Sequence, residues 1–121
     1  MANQIVWCDI PVLDLDRAIK FYSAVLGTSV KKEQFAGMSL GVLPHQDGEV
    51  GACLYASINN EIPSDRGVMI YLNANGRLDE AIAAVVPNGG QIIHPKQSIA
   101  PHGFRAIVLD SEGNRVALHS E

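Results

Sequence analysis

Leu15-Asp16-Arg17-Ala18-Ile19, followed by seven residues and Gly27, returns as Leu78-Asp79-Glu80-Ala81-Ile82, followed by seven residues and Gly90. The two segments lie 63 positions apart in a chain of 121. A second echo lies downstream of each. Asp47-Gly48 precedes Val50-Gly51-Ala52-Cys53-Leu54, and Glu112-Gly113 precedes Arg115-Val116-Ala117-Leu118-His119. The chain therefore reads as one unit written twice. Two copies are too few for a solenoid, so the halves are expected to share a single core.

The pattern along each copy names the unit. Ile5 to Val12 is β-rich and leads to Asp14, a suitable helix N-cap. Leu15, Ala18, Ile19, Tyr22, Val25 and Leu26 recur at helical spacing until Gly27. Strand-like runs follow at Ser29 to Phe35, Met38 to Leu43 and Val50 to Ser57, with a linker over residues 58 to 66. The second copy gives a strand from Gly67 to Ala74 and a helix through Leu78, Ala81, Ile82 and Val85, which Pro87-Asn88-Gly89-Gly90 ends. Gln91 to His94, a loop through Pro95 and Pro101, and a hairpin of Phe104 to Leu109 with Arg115 to Ser120 complete it. The expectation is an α+β chain of two βαβββ modules, 1–57 and 67–121, in a single domain spanning 1–121.

Composition excludes several roles. A net charge of −4 leaves no basic stripe for nucleic acid. No run approaches the 18 or so apolar residues of a membrane span. No basic segment leads an apolar run at the N-terminus, and Cys8 and Cys53 lack a CxxC pairing, so a cytoplasmic protein with reduced, helix-covered thiols is expected.

Strand alternation assigns faces. Val6, Cys8 and Ile10 should lie under the first helix, and Val68, Ile70, Leu72, Val116 and Leu118 under the second. By the downstream echo, Ala52 and Leu54 match Ala117 and His119. The helix-free faces then collect Trp7, Asp9, Ala52, Leu54, Met69, Tyr71, Ala117 and His119, and a concave face of this kind is where a ligand would go.

Asp14 to Gly27 (Asp-Leu-Asp-Arg-Ala-Ile-Lys-Phe-Tyr-Ser-Ala-Val-Leu-Gly) and Asp110-Ser111-Glu112-Gly113-Asn114-Arg115 resemble two signatures of the vicinal oxygen chelate superfamily. That superfamily includes glyoxalase I, bleomycin-resistance proteins and extradiol dioxygenases. The resemblance implies paired βαβββ modules in a cupped mixed sheet with helices outside, very often as a homodimer. It also implies metal-ligand positions in the first and last strand of each module, which fall here at Trp7 and near Ala52, Met69 and Ala117. An indole offers no lone pair, alanine has no donor atom and a thioether is a soft ligand. No metal or other cofactor is expected, and metal-dependent glyoxalase or dioxygenase chemistry is not expected.

The remaining candidates carry two readings each. Trp7 and Tyr71 suit a planar ligand, or pack between modules or at a dimer seam. Asp9 could accept from a ligand or act as a base, or pair with Arg115. Met38 and Met69 fit an adaptable apolar pocket wall or plain core, and Leu54 is expected in the cup as a ligand contact. His119 could serve as a hydrogen-bonding or acid/base group in the cup, or sit at a fraying terminus. Arg105 could grip an anion or be solvated, and His45 and His102 read as solvated loop residues. The function expected is a metal-free binder of a small molecule, like the bleomycin-resistance branch. The alternatives are a glyoxalase-like lyase or isomerase, working without metal through Asp9, Tyr71 and His119 or with an unrecognised metal site, and a dimeric interaction module whose cup is filled by its own side chains. The cup is built either within one chain or across a dimer.

Overall fold

The computed structural model describes residues 3–57 and 61–121, so part of the linker lies outside the described residues. Strand β1 (Trp7–Val12) leads into helix α1 (Leu15–Leu26), then β2 (Lys31–Phe35), β3 (Met38–Val42) and β4 (Gly51–Ala56). The second half repeats the order as β5 (Ile70–Asn73), α2 (Leu78–Val85), β6 (Gln91–Ser98), β7 (Phe104–Leu109) and β8 (Arg115–Ser120). Each half makes one four-stranded mixed sheet, ordered β1-β4-β3-β2 and β5-β8-β7-β6. The first strand of each half pairs parallel with the last, and the other pairs are antiparallel.

The helix ends follow the expected chemistry in the first half and depart from it in the second. Asp14 caps α1 by accepting from the Arg17 amide at 3.1 Å, and Gly27 ends it in the left-handed region at φ 68°. The repeat places Gly90 at the equivalent position, but Pro87 diverts the chain into a short 3-10 turn over Val86–Asn88, and Gly89 takes the left-handed role at φ 97°. Gly90 serves packing instead. A Cβ on it would stand 2.5 Å from the Leu109 carbonyl and 2.7 Å from the Phe21 ring.

One buried cluster joins both sheets and both helices. It takes Ile10, Val12 and Leu54 from the first sheet, Ala18, Phe21, Tyr22 and Val25 from α1, Leu78, Ala81 and Val85 from α2, and Leu72, Val108, Val116 and Leu118 from the second sheet. Helices α1 and α2 pack on each other. Register corrects three sequence expectations. Val6 and Val68 lie before the first hydrogen-bonded residue of their strands and are exposed. Ala52 and Leu54 pair with Cys8 and Ile10, so they point under α1 and not away from it. Cys53 is buried on the opposite face, paired with Asp9, rather than beneath a helix. The loop expected through Pro95 and Pro101 is also shorter, because β6 runs through Pro95 to Ser98 with two register shifts. Proline is tolerated there because β6 is an edge strand with bulges.

A polar latch ties the first half to the β7–β8 turn. The Glu112 carboxylate accepts from the Leu13 and Asp14 amides at 2.9 and 2.8 Å, from Arg17 Nε and Nη2 at 2.8 Å each, and from the Ser111 hydroxyl at 2.7 Å. Beside it, Asp110 accepts from the Tyr22 hydroxyl at 2.6 Å and from the Glu112 and Asn114 amides. The Asn114 side chain donates to the Pro11 carbonyl at 2.8 Å. Burial raises the Glu112 carboxyl, but its five donors outweigh burial and bring it down from 4.5 to about 2. No helix among the described residues is long and apolar enough to cross a membrane.

Candidate functional site

On the helix-free face of the first sheet, Trp7 and Asp9 stand two residues apart on β1, with Gly51 and Cys53 directly across on β4. The Trp7 indole lies over Gly51, where an added Cβ would meet its ring at 2.5 Å. A side chain at residue 51 would displace the ring, so the glycine is what lets the indole seat on β4. The His45 ring meets Trp7 edge-on, with centroids 5.3 Å apart. Trp7 Nε1 donates to Asp9 Oδ1 at 2.8 Å, and the Cys53 thiol donates to the same oxygen at 3.3 Å. Asp9 does not pair with Arg115, whose Nη2 donates instead to the Gly67 carbonyl. Burial, followed by the Asp9 contact, pushes the Cys53 thiol up to about 11. At neutral pH it is a protonated donor and not a thiolate nucleophile. Both cysteines are free.

The second sheet carries a separate cluster. Tyr71 lies across from Ala117, and His119 lies across from both Asn73 and Arg105. Arg105 Nη1 donates to the Tyr71 hydroxyl, and its guanidinium carbon stands 5.9 Å from the Tyr71 ring centre. The His119 ring is 6.0 Å from that of Tyr71. Because a carbonyl can only accept, His119 Nε2 carries the proton it shares with the His102 carbonyl at 2.7 Å, which leaves Nδ1 free of that bond.

The expected set thus divides. Trp7 and Asp9 are brought together, as are Tyr71, Arg105 and His119. Met38 lies half-buried on β3 opposite Phe35. Leu54 is fully buried in the core and leaves the set. Met69 lines a cleft of about 640 Å³ between the two sheets, together with Ile5, Leu43, Val50, Gly51 and Tyr71. That cleft takes Cys8 from β1 and residues of both faces of β4 (Gly51, Ala52) and β5 (Ile70, Tyr71), so it follows the strand ends and not the floor of one face. Sequence reasoning missed Gly51, Cys53 and His45. A glycine one strand across from the only tryptophan was the available signal for the first.

Of the positions the resemblance marks for metal ligands, Trp7 lies across from Gly51, with Ala52 next to it, and Ala117 lies across from Tyr71. An indole N–H already donated to Asp9, a glycine, a phenol bound to arginine and an alanine do not fit a divalent ion. Asp9 and Cys53 make two donors without a third, and among the described residues no three His, Cys, Asp or Glu side chains gather as a metal-ligand set.

The chain belongs to the Glyoxalase/Bleomycin resistance protein/Dioxygenase superfamily, whose family model matches residues 4–118. Among solved structures, it resembles a glyoxalase/bleomycin resistance protein from Albidiferax ferrireducens T118 at a TM-score of 0.76 and 18% identity, over 98% of this chain and 99% of that one. A glyoxalase-related enzyme from Fulvimarina pelagi matches at 0.70 and 16%, over 98% and 88%. The fosfomycin resistance protein FosX from Listeria monocytogenes matches at 0.68 and 12%, over 100% and 95%. At these identities the likeness is one of fold. No curated protein matches the chain.

Proposed function

We propose that this protein binds a small organic molecule on its helix-free faces, without a resident metal, and that the family's metal positions have been converted into aromatic wall. The observation that carries the reading is the seating of Trp7 over Gly51 beside an Asp9 carboxylate that has no cationic partner among the described residues. A flat apolar ring with an acceptor at its edge is suited to a planar ligand that carries a donor. Tyr71, Met38 and Met69 extend the wall, and Arg105 and His119 supply polar groups on the second sheet. Edge strands β1 and β5 each leave one side without a strand partner, and unpaired edges recruit partners. The proposed assembly is a homodimer that brings the faces of two copies together.

Trp7 is the only tryptophan, so its emission reports on this face directly. A library of planar heteroaromatic compounds, screened by Trp7 emission and by melting temperature, should give hits that shift both. Trp7→Ala should abolish the ligand-induced rise in melting temperature while leaving the unliganded fold intact, because Trp7 is exposed and its ring lies outside the core. Static light scattering of the same sample should read twice the 13.0 kDa chain mass. Hits that stabilise Trp7→Ala as well as the parent would contradict the reading.

A further inference from the structure

We infer that the helix-free face of the second sheet is an anion pole: it takes a carboxylate, phosphonate or phosphate group of the bound molecule, with Arg105 as the anchor. The inference rests on the binding role proposed above and names the class of ligand. Its first support is the placement of charge. In a chain of net charge −4, strands β5 to β8 contain no Asp or Glu and place Arg105 and Arg115 on this face, while Lys96 pairs with Asp79 of α2 at 3.2 Å and does not count toward it. They also contain His94 and His119. The acids of this half lie elsewhere: Asp79 and Glu80 on α2, Asp110 and Glu112 in the latch, and Glu121 after the last strand. The first sheet, by contrast, carries Asp9 and Glu33 in its strands.

The second support is the state of Arg105. It forms no salt bridge among the described residues. Its partners are neutral: the Tyr71 hydroxyl, the Tyr71 ring and Gln97. With its amide oxygen turned toward the guanidinium, Gln97 accepts from Arg105 Nε at 3.2 Å and Nη2 at 3.3 Å. Those contacts use three of the five N–H donors and leave one on each terminal nitrogen. A guanidinium held by a ring and an amide, with two donors spare and no carboxylate beside it, is already oriented for a bidentate oxyanion. His119 lies directly across on β8, with Nδ1 free of the His102 bond, as a second contact. Further along the same face of β8, Arg115 holds a buried Nε with no hydrogen-bond partner.

The test uses three one-ring probes of nearly equal size: benzoate, phenylphosphonate and neutral benzamide. Their binding is followed by chemical-shift titration of the Tyr71 and His119 resonances. The two anions should bind roughly tenfold or more tightly than benzamide, the ratio expected from a charge-assisted pair. Arg105→Gln should erase that preference and Arg105→Lys should keep part of it. Arg66→Gln, at an exposed arginine outside the strands that pairs with Asp65, should leave it unchanged. Melting temperatures establish that each variant is folded. If benzoate and benzamide bind alike, or if Arg105→Gln keeps the preference, the anion pole is wrong while a binding face still stands. If none of the probes moves these resonances, the anion pole is wrong, and the broader role is judged separately from Trp7 emission.

Discussion

Glu112→Ala should cost the protein about 2–5 kcal/mol, because each amide left without its acceptor costs about 1–3 kcal/mol, while the half-exposed Arg17 can turn to solvent. The side chain of Glu112 has no solvent exposure and satisfies two backbone amides at the start of α1, the Arg17 guanidinium and the Ser111 hydroxyl. Removing it leaves the Leu13 and Asp14 amides without an acceptor and loosens the tie between the two halves. Against a typical total of about 5–15 kcal/mol, the melting temperature should fall on the order of 10–20 °C. The same group sets an acid limit. Its carboxyl lies near 2 in the folded protein and returns to 4.5 on unfolding. Its stabilisation, roughly 3 kcal/mol, is therefore complete above about pH 4.5 and is lost as pH falls toward 2. Glu112→Gln should flatten that part of the stability profile, and an unchanged acid limb in this variant would contradict the assignment.

Leu54→Ala should cost about 2–5 kcal/mol, as a large-to-small change in a closed core. Leu54 has no exposed surface and packs among the α1 residues beneath the first sheet. Ligand-induced shifts at Trp7 should survive in any folded sample. Cys53→Ala, one residue earlier and on the other face, should cost about 1 kcal/mol and alter Trp7 emission, because its thiol shares Asp9 with the indole. Equilibrium urea unfolding of both variants measures the contrast. A mild Leu54→Ala would mean that β4 faces the other way.

That contrast shows what could be read from the chain and what could not. The repeat of Leu15 to Ile19 in Leu78 to Ile82 carried both helices, and the eight strands followed from periodicity and turn residues. In β1, polar Asp9 between Cys8 and Ile10 made the faces legible. In β4, Gly51-Ala52-Cys53-Leu54-Tyr55-Ala56 is apolar on both sides, so alternation had nothing polar to orient it, and the choice of face slipped by one residue. The downstream echo misled for the same reason, since Leu54 aligns in sequence with His119 but points the other way. The latch was legible only as a turn motif, because the bond from Glu112 to Arg17 spans 95 residues. Tyr71 and Arg105 come together through pairing of both their strands with β8, which no local pattern records.

Elemental analysis of the purified protein is the sharpest test of the proposal that aromatic and small side chains have replaced the metal ligands of the fold. Protein prepared without chelator, exchanged into metal-free buffer and measured for nickel, zinc, iron, manganese and cobalt should hold far less than one ion per chain, because Trp7, Gly51, Tyr71 and Ala117 supply no converging donors. One ion per chain that survives exchange, and whose removal by a chelator lowers the melting temperature, would contradict the account.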